Sequence, residues 1–485
     1  CTQHVAVLVF PFASHPDILL HFIRIISAMA PDVKFSFLSL AKSNSSLFTE
    51  SNSKGFENIK PYKVWDGLPG GYAFSGNPLE PIDLFLKVAP GSFKKVIEEA
   101  EAEIGQKVGC LISDAFLWFA GEMAEEMQVP WVPLWTSGQR SLLVHVGTDV
   151  IREKVGASGE KDQSLDFLPG FSAFHASDLP EGVAFENSES PIAVMVHKMG
   201  QKLPQATAVA INSFQDIDLE VVFELKKRFH KFLHVGPFSL TPTAPIHDEH
   251  GCLEWLDKHK RASVAYISFG SMAKLPPHEL AALAEALEEG GFPFIWSFRG
   301  NEKDFPKGFV ERTNRNGLGK VVPWVSQTKV LNHSSVGVFV THCGWNSVLE
   351  SITGGVPMIC RPFLADQPLN MRTLEVLWRI GVGIEGGVLT KSGAMKALEL
   401  CLSSKQGNEM RERTSILKVF AEEAVKSYGR TTEDLNVLQY WNGGEWRICT
   451  RDLRCKGKPS SKIGAAQRVA PFDSKSCLTL DTKSG

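Results

Sequence analysis

The sequence predicts a doubly wound α/β protein in which the βα pattern runs twice along the chain. Three observations lead there. Short runs rich in Val, Ile, Leu and Phe recur along the chain: Val5–Phe10, Phe35–Leu40, Cys110–Ser113, Ala208–Asn212, Val264–Phe269, Phe294–Phe298, Lys320–Val322 and Val336–Thr341. Most are continuously apolar, as parallel strands buried on both faces require. Amphipathic helical segments lie between them. In Glu279–Glu289, for example, Leu280, Leu283, Ala284 and Leu287 fall at i, i+3, i+4 and i+7 and make one stripe to pack on a sheet. Finally, a segment rich in Pro and polar residues, Thr241 to His250, separates the two runs.

These signals divide the chain into a first α/β domain over 1–240, a linker over 241–250 and a second α/β domain over 251–420 that opens near Leu253-Glu254-Trp255-Leu256. A helix over 421–440 follows and is expected to cross back and brace the first domain. From Trp441 the helical period disappears, and the last 45 residues carry a net charge of +5 with many Gly, Ser and Lys. A disordered tail is expected over 441–485. Two open α/β sheets leave a cleft between the carboxyl ends of their strands, and ligands of such folds bind there.

Composition removes several classes of function. The 485 residues are 43% hydrophobic and 22% charged, with a formal net charge of -3, so neither global disorder nor a broad nucleic-acid-binding surface is expected. No run approaches the ~18 apolar residues of a membrane span. Nine cysteines occur without a C-x-x-C spacing, which fits free, buried thiols in a reducing compartment and an expected cytoplasmic location.

The segment Trp324 to Gln367 concentrates the chemistry. A buried strand, Val336–Thr341, runs into the polar turn His342-Cys343-Gly344 and then into a helix. Asn346 or Ser347 is the expected N-cap of that helix, and Gly354-Gly355 its stop. Free N–H groups at a helix start, reached through a glycine turn, bind anions such as phosphate. His342, Asn346 and Ser347 add donors, and Trp324 offers a flat face for a base. Ser347 and Glu350 also have the spacing of a capping box, which would make Glu350 purely structural.

This segment resembles the donor-binding signature of plant UDP-dependent glycosyltransferases, and the similarity extends from about His4 to Gln439. Further landmarks are Phe10-Pro11-Phe12-Ala13-Ser14-His15, Ser43-Asn44-Ser45-Ser46, Asp114-Ala115-Phe116-Leu117-Trp118-Phe119-Ala120 and Tyr266-Ile267-Ser268-Phe269-Gly270-Ser271. They resemble the flavonoid 3-O-glucosyltransferase branch, which acts on anthocyanidins and flavonols. The resemblance implies two Rossmann-like domains facing across a cleft, the GT-B architecture, in a monomer that needs no metal. It implies that Trp324 stacks on uracil while the backbone near Val325 and Gln327 bonds its edge. Glu350 would hold the ribose. Ser271, His342, Asn346 and Ser347 would hold the diphosphate, and Trp345, Asp366 and Gln367 the sugar. Thr136 would reach the sugar or phosphate from the first domain. In the family, Gln at the position of Gln367 goes with glucose and His often with galactose, so UDP-glucose is the expected donor.

His15 and Asp114 each follow a strand of the first domain, at the same sheet edge. The family pattern makes them a His–Asp dyad that deprotonates an acceptor hydroxyl. A carboxylate on one imidazole nitrogen fixes the tautomer and supports the cation that forms when the other nitrogen takes a proton. Phe12, Leu79, Phe116, Trp135, His145 and Phe363 are the candidates to line an acceptor pocket for a flat polyphenol. Leu79 stands where close relatives carry a glutamine. The expected reaction is inverting transfer of glucose to a flavonoid hydroxyl. The alternatives are another phenolic acceptor, a UDP-galactose donor, or a catalytically impaired flavonoid-binding homologue.

Two other motifs point elsewhere and are weaker. Gly381, Gly383 and Gly386 make a formal G-x-G-x-x-G, but it follows a helix and leads into a strand-like run, the wrong order for a dinucleotide site. Asp216-Ile217-Asp218 has the D-x-D form of a metal-dependent transferase but reads better as a helix start.

Overall fold

The apolar runs assemble into two wholly parallel sheets in the computed structural model, which describes residues 3–49, 55–72, 76–77, 79–156, 161–184, 189–241, 248–271 and 273–439. Most of the expected linker, 242–247, and the expected tail, 441–485, lie outside the described residues. The first sheet contains β1 (Gln3–Leu8), β2 (Val33–Leu40), β3 (Ile59–Val64), β4 (Cys110–Asp114), β5 (Trp131–Trp135), β6 (Val209–Ile211) and β7 (Phe232–His234), in the order β3-β2-β1-β4-β5-β6-β7. The second contains β8 (Val264–Ser268), β9 (Phe294–Ser297), β10 (Gly319–Val322), β11 (Val336–Thr341), β12 (Met358–Cys360) and β13 (Gly381–Gly383), in the order β10-β9-β8-β11-β12-β13. In each sheet the strand order reverses beside its first strand, between β1 and β4 and between β8 and β11. Loops diverge there and leave a crevice at the carboxyl ends.

Burial on both faces explains the unbroken apolar runs. Val5, Val7 and Val9 pack with Leu19, Phe22, Ile23 and Ile26 of the helix His15–Met29 on one side. Ala6, Leu8 and Phe10 face Phe85, Phe93 and Ile97 of the helix Glu80–Ile104 on the other. The second sheet repeats the arrangement. Ala265 and Ile267 meet Leu280, Leu283 and Leu287 of the helix Pro277–Gly290, while Val264 and Tyr266 face the opposite core. Each fully buried Leu, Ile or Phe contributes roughly 1.5–3 kcal/mol over leaving it exposed.

The expected boundary at 420 falls inside a helix, Lys405–Ala424, and the chain breaks only at Val425–Gly429 before the helix Arg430–Gln439. This last helix lies on the first sheet. Leu435 and Leu438 join the core of β1 and the helix His15–Met29. Asp434 Oδ2 accepts the His234 N–H at 2.9 Å, and the Thr431 hydroxyl donates to the Gly236 carbonyl at 2.6 Å. The glycine motif at 381–386 lies on the edge strand β13 and the turn after it. Asp218 starts the helix Leu219–Arg228 and is buried, with Arg140 Nε 2.8 Å from its Oδ2.

Candidate active site

One wall of the crevice is built by the loops after β1, β4 and β5. The chain leaves β1 through Phe10-Pro11-Phe12, turns at Ala13 with a φ of 52°, and enters its helix at His15, with Pro16 in the first turn. His15 Nδ1 lies 2.6 Å from Asp114 Oδ2, and the Asp114 side chain is 1% exposed at the end of β4. The second carboxylate oxygen accepts the Phe116 N–H at 2.9 Å, so the carboxylate cannot turn without losing that bond. The rings of Phe10 and Phe116 flank the imidazole at 5.1 and 4.8 Å. Nδ1 facing a carboxylate carries the proton, which leaves Nε2 as the acceptor. Thr136, expected to reach the donor, has its hydroxyl 3.4 Å from His15 Nδ1.

The opposite wall comes from the second sheet. His342 follows β11, where the backbone passes close to the loop after β8. A Cβ on Gly270, whose φ is +75°, would sit 2.8 Å from the imidazole, so only glycine allows this approach. Burial pulls the His342 pKa down to about 4, so the ring is neutral at pH 7. Ser271 is exposed beside it. The helix after His342 runs from Trp345 to Gly354 and is capped by Gly344, not by Asn346 or Ser347 as expected. Both of those residues therefore fall in the first turn, where main-chain N–H groups have no partner within the helix. The expected stop holds: Gly355 takes the left-handed conformation after Gly354.

Glu350 does not close a capping box. Its carboxyl accepts from Gln327 Nε2, which also donates to Ser347 Oγ at 3.0 Å, and Gln327 Oε1 accepts from the Tyr266 hydroxyl at 3.1 Å. Packing on most sides pushes the Glu350 pKa up to about 7. Trp324 is 43% exposed after β10, and Val325 beside it is buried. Trp324, Val325 and Ser326 share a hollow with Asp248, Glu249, His250, Leu253 and Lys329. An indole face, a buried carboxyl and a helix start are therefore arrayed from β10 to β11.

The two walls touch at points that sequence reasoning did not foresee. Asp366 Oδ2 accepts from the Ser137 hydroxyl of the first domain and from Asn370 Nδ2 at 2.8 Å, and burial raises its pKa. Gln367 Oε1 accepts the N–H groups of Phe363 (2.8 Å) and Leu364 (3.2 Å) and so shapes the loop after β12. The same loop is anchored by Arg361, which meets the buried Glu279 with two bonds of 2.6 and 2.8 Å. Trp345, expected at the sugar, is buried, and its indole N–H donates to the Asn212 carbonyl at 2.8 Å. Its ring is thus committed to the junction between domains.

Four of the acceptor candidates form a run of aromatic contacts leading away from His15. Phe12 meets Phe10 at 5.1 Å, Phe116 meets Trp135 at 5.8 Å, and Trp135 meets His145 at 5.6 Å. His145 is buried, which pulls its pKa down to about 4, and its Nδ1 has no partner among the described residues. Phe363 stands on the other wall, 5.9 Å from Phe269 and under the Arg361 guanidinium. Leu79 precedes the helix Glu80–Ile104, whose Phe85 touches both Phe10 and Phe12.

Two Rossmann-like sheets facing across a crevice, with a His–carboxylate pair on one wall and the start of the helix Trp345–Gly354 on the other, make the GT-B architecture of glycosyltransferases. Residues 83–418 match the family model described as UDP-glucoronosyl and UDP-glucosyl transferase. The chain is 53% identical over 441 residues to a flavonol 3-O-glucosyltransferase of Actinidia chinensis var. chinensis, covering 90% of this chain and 96% of that protein. An anthocyanidin 3-O-galactosyltransferase of the same plant is 51% identical over 442 residues, with the same coverage. Among solved structures, that of a UDP-glucose: anthocyanidin 3-O-glucosyltransferase in complex with UDP is 40% identical, with a TM-score of 0.85 over 90% of this chain and 98% of that one. The chain belongs to the UDP-dependent glycosyltransferase family. Among the described residues no helix is long and apolar enough to cross a membrane.

Proposed function

We propose that this enzyme transfers glucose from UDP-glucose to the 3-hydroxyl of a flavonol or anthocyanidin, with inversion at the anomeric carbon. The observation that carries the reading is the 2.6 Å bond between His15 Nδ1 and Asp114 Oδ2 at the mouth of the aromatic run. The acceptor hydroxyl gives its proton to His15 Nε2. Its oxygen forms a bond to the anomeric carbon as the bond from that carbon to the diphosphate breaks, and UDP leaves with the electron pair. One in-line displacement converts an α-linked donor into a β-glucoside. Asp114 supports the imidazolium that forms.

In this reading Trp324 stacks on uracil and Glu350 takes the ribose hydroxyls. The first turn of the helix Trp345–Gly354, with His342, Asn346, Ser347 and Ser271, receives the diphosphate. These donors stabilise the charge on the leaving group, so no metal is required. Asp366 and Gln367 face the sugar. Gln367 has its Oε1 engaged by the loop, which leaves its amide N–H2 to donate to a sugar hydroxyl.

The test is a product assay with UDP-glucose and UDP-galactose against a panel of flavonols, anthocyanidins and simpler phenols. A 3-O-β-glucoside formed with the higher kcat/KM from UDP-glucose supports the reading. A preference for UDP-galactose would overturn the donor assignment. Turnover confined to simple phenols would overturn the acceptor. Thermal protection by a flavonoid but not by UDP would mark a binding protein instead.

A further inference from the structure

We propose that Asn212 is a positioning residue that fixes the amide of Asn346, so that Asn346 turns its N–H2 rather than its oxygen toward the donor diphosphate. The inference rests on the reading of Asn346 as a diphosphate ligand and adds what orients it. Asn212 lies directly after β6 in the first domain and is 3% exposed. A residue 134 positions away in sequence, Asn346, faces it from the first turn of the second domain's helix.

The orientation follows from a chain of donors and acceptors that begins at the backbone. The Phe238 main-chain N–H, which can only donate, lies 3.0 Å from one side-chain atom of Asn212, so that atom is Oδ1. The other atom is then Nδ2, and it donates to Asn346 at 3.0 Å. A donor requires an acceptor opposite, so Asn346 presents Oδ1 to Asn212. Its own Nδ2 must point the other way, with two N–H bonds to offer. The amide of Asn212 is held firmly. The main-chain carbonyl of Asn212 accepts the Trp345 indole N–H at 2.8 Å, which fixes the backbone that carries the side chain, and a Cβ on Gly236 would come within 2.2 Å of the side-chain Oδ1. An amide oxygen turned to a diphosphate repels it, whereas an amide N–H bonds it with charge assistance. One backbone N–H of the first domain thus decides which end of an amide the second domain offers to the donor.

The test compares UDP with uridine, which lacks the phosphates, by calorimetry on the full chain. Asn212→Asp keeps the shape and the Phe238 bond but replaces the donor with an acceptor, so Asn346 must flip. The expected result is a loss of UDP affinity of about tenfold or more, the scale of one charge-assisted hydrogen bond reversed. Uridine affinity should change less than about twofold. In an Asn346→Ala background the same substitution should alter UDP affinity by less than about twofold, because the group it acts through is gone. Equal losses for UDP and uridine would mark a structural role and overturn the proposal. An undiminished loss in the Asn346→Ala background would overturn it too, by assigning the effect to the new charge itself. If Asn346→Ala alone leaves the UDP-to-uridine ratio unchanged, the diphosphate reading of Asn346 fails and the proposal with it. If Asn346→Ala lowers the ratio and Asn212→Asp does not, only the proposal fails. Should Asn212→Asp not fold, Asn212→Ser, which removes the donor to Asn346 without adding charge, carries the same comparison. A ratio equal to that of the unaltered protein in this variant overturns the proposal.

Discussion

Replacing Asp114 by Asn probes the dyad with the least disturbance of the fold. The substitution keeps shape and volume at a site that is 1% exposed. One atom of the new amide must remain oxygen, because the Phe116 N–H donates to it at 2.9 Å. The other atom, 2.6 Å from His15 Nδ1 in the parent, then becomes an N–H2 donor. His15 can accept that bond only by moving its own proton from Nδ1 to Nε2, the nitrogen meant to take the acceptor's proton. The base is thus blocked, and the imidazolium loses its counter-charge. The expected fall in kcat is about 10²–10⁴, the range of general-base catalysis, equivalent to about 3–5 kcal/mol of activation free energy. The assay is initial-rate glucosylation of a flavonol with UDP-glucose saturating, alongside calorimetry with UDP, whose affinity should stay within about twofold. A kcat within about threefold of the parent would refute the reasoning, since no wrong tautomer could work so well.

Two further outcomes follow from the second domain. Burial pushes the Glu350 pKa up to about 7. Because this folded value lies above the unfolded one, Glu350 favours the folded state at low pH, and that contribution is lost as pH rises through about 4.5 to 7. Ligand binding has the opposite sign, because ribose hydroxyls donate best to the ionised carboxylate. Uridine should therefore bind up to about tenfold more tightly at pH 8 than at pH 6, and Glu350→Gln should flatten the difference; equal affinities in the parent would contradict this role. Glu279→Ala strands the Arg361 guanidinium and the Leu389 N–H, both bonded to Glu279 at 2.6–2.9 Å. It should cost about 3–5 kcal/mol in urea unfolding and raise KM for the sugar donor, and a loss under about 1 kcal/mol would contradict it.

The sheets were legible where strands are buried on both faces and long enough to show it. β11, Val336–Thr341, is recovered residue for residue, and its neighbour β8 within one residue. β3 and β5 escaped notice because Lys60, Pro61 and Lys63 break the apolar run of one, and Pro133 argues against a central strand in the other. Pro61 is tolerable because β3 is an edge strand. β6, β7, β12 and β13 have three residues each; Ala208 lengthens the apolar run of β6, whereas Lys231 bounds β7, Pro357 bounds β12, and two of the three residues of β13 are glycines.

The site divides in the same way. His15 and Asp114 could be named from local motifs, although the 2.6 Å bond joins residues 99 apart. The start of the helix Trp345–Gly354 was misplaced because Asn and Ser are the usual caps, whereas Gly344 takes that position here. The bond from the Trp345 indole N–H to the Asn212 carbonyl is visible only in the fold. Asn212, Ser137 and Glu279 carry no local signal. Each acts on a partner 82 to 229 positions away, and spacing along the chain does not encode such contacts.

The central claim, that His15 removes the acceptor's proton while the donor sits on the other domain, is tested most directly by His15→Ala. The measurement is kcat for a flavonol with UDP-glucose saturating, on the same preparation for which UDP affinity is determined by calorimetry. The account predicts that kcat falls by at least about 10² while UDP affinity stays within about twofold. Turnover within about threefold of the unaltered enzyme would contradict it.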